Sequence, residues 1–199
     1  LAGLTTTTQV TEAAADTFVL NDATAEDPKL RRWLERLRGS FDIPPLAIHS
    51  SNDFPTSAGL ASSASGFAAL ITAINAHCEL GLDHAMCSEW ARVGSASAAR
   101  SIFGGFVALV PPKWWAVPMA KKEHWPLEVV VAVTSTEAKG VSSGEGMERS
   151  RLTSPYYNAW LRDAAADFTT TSDAISSKDF AALGAVAELS CLKMHSVML

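Results

Sequence analysis

The chain has 199 residues, 48% of them hydrophobic and 19% charged, enough apolar content for one large or two modest domains. A formal net charge of -5 argues against a protein that works by neutralising a nucleic-acid backbone, since that needs a basic excess. Cys78, Cys87 and Cys191 form neither a paired framework nor a CxxC pattern, which reads as a reduced cytoplasmic protein, and no apolar run approaches the length of a membrane span.

In chain order, "TTTTQVT" and "TFVLND" are β-rich runs, expected as neighbouring strands. Asp27-Pro28 then caps and opens a helix through about Arg38. Leu30, Trp33, Leu34 and Leu37 mark its buried stripe, and Arg31, Arg32, Arg36 and Arg38 fall opposite, as a solvated face. "PPLAIHSS" reads as a strand that delivers the chain to "NDFPTSAGLASSASGFAAL", Asn52 to Leu70, whose middle holds mainly the smallest side chains. Leu60, Ala64, Phe67, Ile71, Ile74 and Cys78 recur at spacings of four and three, so a helix is predicted from about Ser57 to Cys78.

Asp83 predicts a further helix through Val93, and in "GSASAARSIFGGFVALV" a short helix ends at Gly104-Gly105 before a strand over Phe106–Val110. His84 and Cys87 lie one helical turn apart, but without a second pair of ligands they are not read as a metal site. "PPKWWAVPMAKKEHWP" has no clear period and is read as a junction near Lys121, dividing the chain into domains 1–120 and 121–199. Beyond it come a strand, "LEVVVAVTS", a Gly-bearing loop, "EAKGVSSGEGM", and two helices for which Ser154-Pro155 and Ser177 supply starts. Strands and helices mix without a regular βαβ rhythm, so the class is α+β. The sequence opens on Leu rather than Met and stops within a helical pattern, so a fragment is expected.

The chemistry sits in three small-residue clusters. Ser62 and Ser63, beside Gly59 and Ala61, fall in the first turn of a predicted helix, where unpaired N–H groups and the positive dipole end favour an anion. Ser95, Ser97 and Ser101 share a Gly/Ala-rich segment with Arg100, whose guanidinium offers a fork of donors to carboxylate or phosphate. Lys139, Ser142 and Ser143 form the third. Each has a plain structural explanation, close helix packing for the Ser/Ala runs and a surface ion pair for Arg100. Together they suit an anionic ligand. GxxxxGK[ST], GxSxG and GxGxxG are all absent, which removes the common nucleotide-loop and hydrolase motifs.

"FPTSAGLASSASGFAAL" resembles the phosphate-binding motif of the GHMP kinase superfamily. With "VGSASAARSIFGGFV", "TTTT", "STEAKGVSSGEGM" and "TSPYYNAW" in order, nearly the whole chain resembles the mevalonate diphosphate decarboxylase family. The resemblance implies a ribosomal protein S5 domain 2-like N-terminal half and a ferredoxin-like C-terminal half. It implies ATP and Mg²⁺ as cofactors, phosphorylation of the tertiary hydroxyl of mevalonate 5-diphosphate, and loss of phosphate and CO₂ to give isopentenyl diphosphate.

By the same resemblance, Gly59, Ala61, Ser62 and Ser63 cradle ATP phosphates, with Ser63 available to Mg²⁺. Ser95, Ser97, Arg100, Lys139, Ser142, Ser143 and Met147 hold the substrate, Arg100 orients its carboxylate, and Ser50 and Asn52 reach the nucleotide. Gly144 stands where some relatives carry a basic residue. The family's substrate-binding Asn and Lys are expected before Leu1 and its catalytic Asp beyond Leu199, so the 199 residues alone are expected to be inactive. A homodimer is among the assemblies implied, and nucleic acid and membrane are not. Three other readings are carried: a sister small-molecule kinase or monophosphate decarboxylase, a non-catalytic GHMP-fold binding protein, and a serine hydrolase, the last opposed by the lack of a Ser–His–acid pattern.

Overall fold

The computed structural model describes residues 4–54, 62–112, 114–132, 140–141 and 143–199. The backbone divides into two compact units, Leu1–Ala138 and Lys139–Leu199.

In the first unit β1 (Thr6–Glu12), β2 (Thr17–Leu20), β3 (Ala23–Thr24) and β4 (Leu46–Asn52) form one sheet in the order β1-β4-β2-β3. The first two strands are therefore not neighbours, as their sequence proximity suggested. β4 lies between them, antiparallel to β1 and parallel to β2. Its Leu46 and Ile48 are fully buried, which suits a strand paired on both sides. Asp16 secures the arrangement: its carboxylate accepts from Leu46 N (2.8 Å) and from two guanidinium nitrogens of Arg38 (2.6 and 2.8 Å).

Arg38 is the last residue of α1 (Pro28–Arg38). The helix starts as the sequence indicated, with Asp27 accepting from Lys29 N and Leu30 N, and it buries Leu30, Trp33, Leu34 and Leu37. Burial of each such side chain contributes roughly 1.5–3 kcal/mol. Arg31, Arg32 and Arg36 are exposed. Arg38 departs from the expected solvated face, because it also donates to the carbonyls of Ile43 and Pro44 and so joins the end of α1 to the segment that leads into β4.

α2 (Ser62–His77) crosses the core with Phe67, Ile71 and Ile74 buried, and its predicted stretch before Ser62 lies outside the described residues. α3 (His84–Gly94), capped by Asp83, packs beside it. At the end of α3 a Cβ on Gly94 would stand 2.1 Å from the Phe67 ring, so only glycine fits there. α4 (Ala98–Ser101) is held to α3 by the buried Ser88 hydroxyl, which donates to Ala99 O at 2.9 Å.

β5 (Phe106–Val110) follows Gly105, whose φ of +79° and close approach to Ala120 O admit no side chain. It pairs antiparallel with β6 (Trp115–Ala120), so part of the stretch that appeared aperiodic is a strand. The strand expected over "LEVVVAVTS" is not formed over its described part, 127–132, and its last three residues lie outside the described residues. Residues 126–132 have no regular structure and Val130 is 94% exposed, because a strand needs a partner and no described residue pairs with this one.

The described part of the second unit is helical: α5 (Ser143–Thr153), α6 (Tyr157–Ser177) and α7 (Phe180–Ser196). "SGEGM", from Ser143, thus starts a helix instead of extending a glycine-bearing loop. Ser177 does not open α7; its hydroxyl bonds back to Asp173 O, Lys178 takes a left-handed conformation, and the carboxylate of Asp179 caps the new helix through Ala182 N. Lys193 on α7 reaches both Asp163 and Asp167 on α6, at 3.1 and 3.0 Å.

Gly94→Ala is expected to cost about 1–3 kcal/mol in urea unfolding, the usual effect of overpacking, and to cost less in a Phe67→Ala background, where the ring is gone. A second expectation concerns pH. The hydrogen bond from Arg38 holds the Asp16 carboxyl below the usual carboxylate range, opposed by partial burial and helped by Leu46 N–H. A carboxyl lowered in the folded state stabilises fully above its unfolded pKa of about 3.9 and loses that effect as pH falls through the folded value. The stability gap between wild type and Asp16→Asn should therefore be constant above about pH 5 and close progressively in more acidic buffer, as followed by thermal unfolding across pH 2–7.

Candidate functional site

Ser62 and Ser63 open the described part of α2, Ser62 half-buried and Ser63 exposed, and the residues before them lie outside the described residues. Near a helix start the positive dipole end favours an anion, here beside two hydroxyls. Ser95 follows Gly94 in extended conformation at the end of α3, and its Oγ lies 3.4 Å from Ser63 Oγ. Two small-residue clusters more than thirty residues apart thus meet at one point.

Beside them is a cavity of about 310 Å³. Ser50, Asn52, Ser62 and Ser63 line one part of it, and Phe18, Leu20, Leu30, Phe67 and Leu70 supply an apolar part, with Lys29 and Asp27 also on the wall. Apolar walls with a few polar groups are the common make-up of a small-molecule site. The β1–β4 register sets Ser50 opposite Thr8, their hydroxyls 2.8 Å apart, and Asn52 opposite Thr6. Thr6, Phe18 and Lys29 were not singled out from the sequence. For Thr6 a signal was present in the "TTTT" run, whose alternate hydroxyls must fall on one face of a strand.

Ser97 and Arg100 do not line this cavity. They occupy the turn into α4 and α4 itself, two and five residues beyond Ser95, and the exposed Arg100 guanidinium has no partner among the described residues. Ser143 is the first residue of α5 and Met147 lies one turn on, 63% exposed. Gly59, Ala61, Lys139 and Ser142 lie outside the described residues.

Among the described residues no group of three or more His, Cys, Asp or Glu could hold a metal ion, and His84 sits edge-on to Phe103 instead. A divalent cation at the α2 turn would rest on hydroxyl and ligand oxygens, which suits Mg²⁺, an ion commonly bound through substrate phosphates. No helix among the described residues is long and apolar enough to cross a membrane.

The mixed sheet with helices packed on it is an α+β arrangement, and solved enzymes of the GHMP kinase fold match it. The crystal structure of mevalonate diphosphate decarboxylase from Staphylococcus aureus matches with a TM-score of 0.84 and 33% identity, over 99% of this chain and 63% of that one. A structure described as "MDDEF in complex with MVAPP, AMPPCP and Magnesium" matches with a TM-score of 0.82 and 34% identity, over 98% and 64%. By sequence, the diphosphomevalonate decarboxylase of Ganoderma lucidum is 39% identical over 181 residues, 85% of this chain and 45% of that protein.

The diphosphomevalonate decarboxylase-like N-terminal domain matches residues 1–113 and the mevalonate 5-diphosphate decarboxylase C-terminal domain residues 129–199, so the chain belongs to the diphosphomevalonate decarboxylase family. It spans about half the length of the curated relatives it matches by sequence.

Proposed function

We propose that the whole protein is an ATP-dependent decarboxylase of mevalonate 5-diphosphate, acting in the cytoplasm in isoprenoid synthesis. The observation that carries this is the 3.4 Å approach of Ser63 to Ser95. On this reading, the turn that receives the phosphates of ATP and the turn that receives the substrate's diphosphate adjoin at a single hydroxyl contact. Direct phosphoryl transfer requires donor and acceptor held side by side, with charge neutralised, and asks little covalent chemistry of the protein.

Ser62 and Ser63, with Gly59 and Ala61, hold the ATP phosphates through hydroxyls and helix N–H groups. Ser50 and Asn52 face the nucleoside end, for which the apolar wall of the cavity is suited. Mg²⁺, bound mainly by phosphate oxygens with Ser63 available to it, supplies charge neutralisation. Ser95 and Ser97 take the substrate diphosphate, together with Lys139, Ser142, Ser143 and Met147. Arg100, unpaired among the described residues, is free to take the substrate carboxylate in a two-pronged grip and keep it in line for loss as CO₂. Residues 1–120 serve as the ATP-phosphate-binding domain and 121–199 as part of the C-terminal domain. A homodimer is the assembly proposed, without nucleic-acid or membrane partners.

The full-length protein given ATP, Mg²⁺ and mevalonate 5-diphosphate should release CO₂, ADP and phosphate in equal amounts. Arg100→Gln should lower kcat by about 10²-fold, the usual effect of losing one charge-stabilising donor, with a smaller change in the KM for ATP. A phosphorylated product without CO₂ would instead identify a kinase. CO₂ released from the monophosphate alone would change the substrate.

A further inference from the structure

The geometry points to Thr6 as a positioning residue for the nucleotide side of the proposed site. Its Oγ1 lies 2.6 Å from Asn52 Oδ1 and 2.7 Å from Ser65 Oγ. One proton and two lone pairs let a single hydroxyl serve both neighbours. Asn52 ends β4 and Ser65 lies in the first turns of α2, so the bond pair joins the two elements that carry Ser50 and Asn52 on one side and Ser62 and Ser63 on the other. Thr6 itself lines the cavity those residues share.

The preceding residue reinforces the first half of the link. Thr5 Oγ1 donates to Asp53 Oδ2 at 2.7 Å, Thr5 N donates to Asp53 Oδ1, and Asp53 N returns a bond to Thr5 O at 3.2 Å. The start of β1 therefore grips the end of β4 through side chains where the Thr6↔Asn52 pairing closes the ladder. When Thr6 gives its one proton to Asn52 Oδ1, Ser65 gives its own to Thr6 and not to Ser62 O, which lies 3.2 Å from Ser65 Oγ one turn back. Displacement of the Thr6 hydroxyl would thus be felt at both walls of the cavity, while none of the bonds it makes requires Thr6 to touch a phosphate.

This inference rests on the ATP reading above. Loosening two walls that bind ground state and transition state alike raises KM without lowering kcat. In the full-length protein, Thr6→Val should raise the KM for ATP about tenfold, the equivalent of about 1.4 kcal/mol, with kcat within twofold of wild type. Thr6→Ser should restore KM to within twofold. A packing role predicts the reverse order, since valine keeps the shape of threonine and serine does not. Amide hydrogen exchange over residues 62–66 should be faster in Thr6→Val and unchanged in Thr6→Ser, which also reports whether the variants fold.

A KM for ATP in Thr6→Val within twofold of wild type overturns the positioning role, whatever the exchange data show. Serine behaving worse than valine overturns it as well. Wild-type protein without ATP-dependent turnover overturns the decarboxylase reading and this inference with it, so the two failures are distinguished by the wild-type control.

Discussion

The absence of a side chain at Gly94 is the constraint on which the arrangement of the site depends. With a Cβ there, the last turn of α3 would meet the Phe67 ring at 2.1 Å, and α2 and α3 would have to separate. Phe67 lies one turn beyond Ser63 on α2, and Ser95 is the next residue after Gly94 on α3. The contact between the two serines is thus a consequence of a core contact one turn away. Because protein interiors are packed to nearly crystalline density, a displacement at the ring cannot be absorbed before it reaches the hydroxyls.

A second group of interactions holds the sheet in register beneath α2. Asp16 and Arg38 connect the end of α1, the start of β2 and the start of β4, and the Thr5/Asp53 and Thr6/Asn52 bonds hold the other end of β4 against β1. Exposed ion pairs alone contribute little. The Asp16–Arg38 pair differs in also satisfying backbone groups at Leu46, Ile43 and Pro44, so its loss would leave polar atoms unpaired at the edge of the core. β4, held at both ends, carries Ser50 and Asn52 to a constant place on the cavity wall.

For the proposed reaction, such fixity replaces reactive side chains. The described part of the site offers hydroxyls, helix N–H groups and a guanidinium, with no histidine or cysteine among its members, a composition that suits binding and alignment of phosphates. The family match covers both units, while the chain spans about half the length of the curated relatives it matches by sequence. The cavity and the Ser63–Ser95 contact belong wholly to the first unit, so their geometry can be judged from that unit alone.

The sequence by itself determined the α-helices of the first unit. Asp27-Pro28 and Asp83 were legible as starts and Leu30, Trp33, Leu34 and Leu37 as a buried stripe, because capping and the 3.6-residue period act between residues a few places apart. What depends on partners distant in the chain was decided only by the tertiary structure. β4 took the centre of the sheet, Arg38 left its solvated face for Asp16, Trp115–Ala120 became a strand by pairing with β5, and "LEVVV" remained irregular, without a partner among the described residues. The "TTTT" run placed alternate hydroxyls on one face of a strand, but which of them would matter was decided only when the register set Thr6 against Asn52 and α2 brought Ser65 to its hydroxyl. Strand pairing and cavity walls are long-range contacts, and no local pattern of side chains encodes which of many compatible partners will be met.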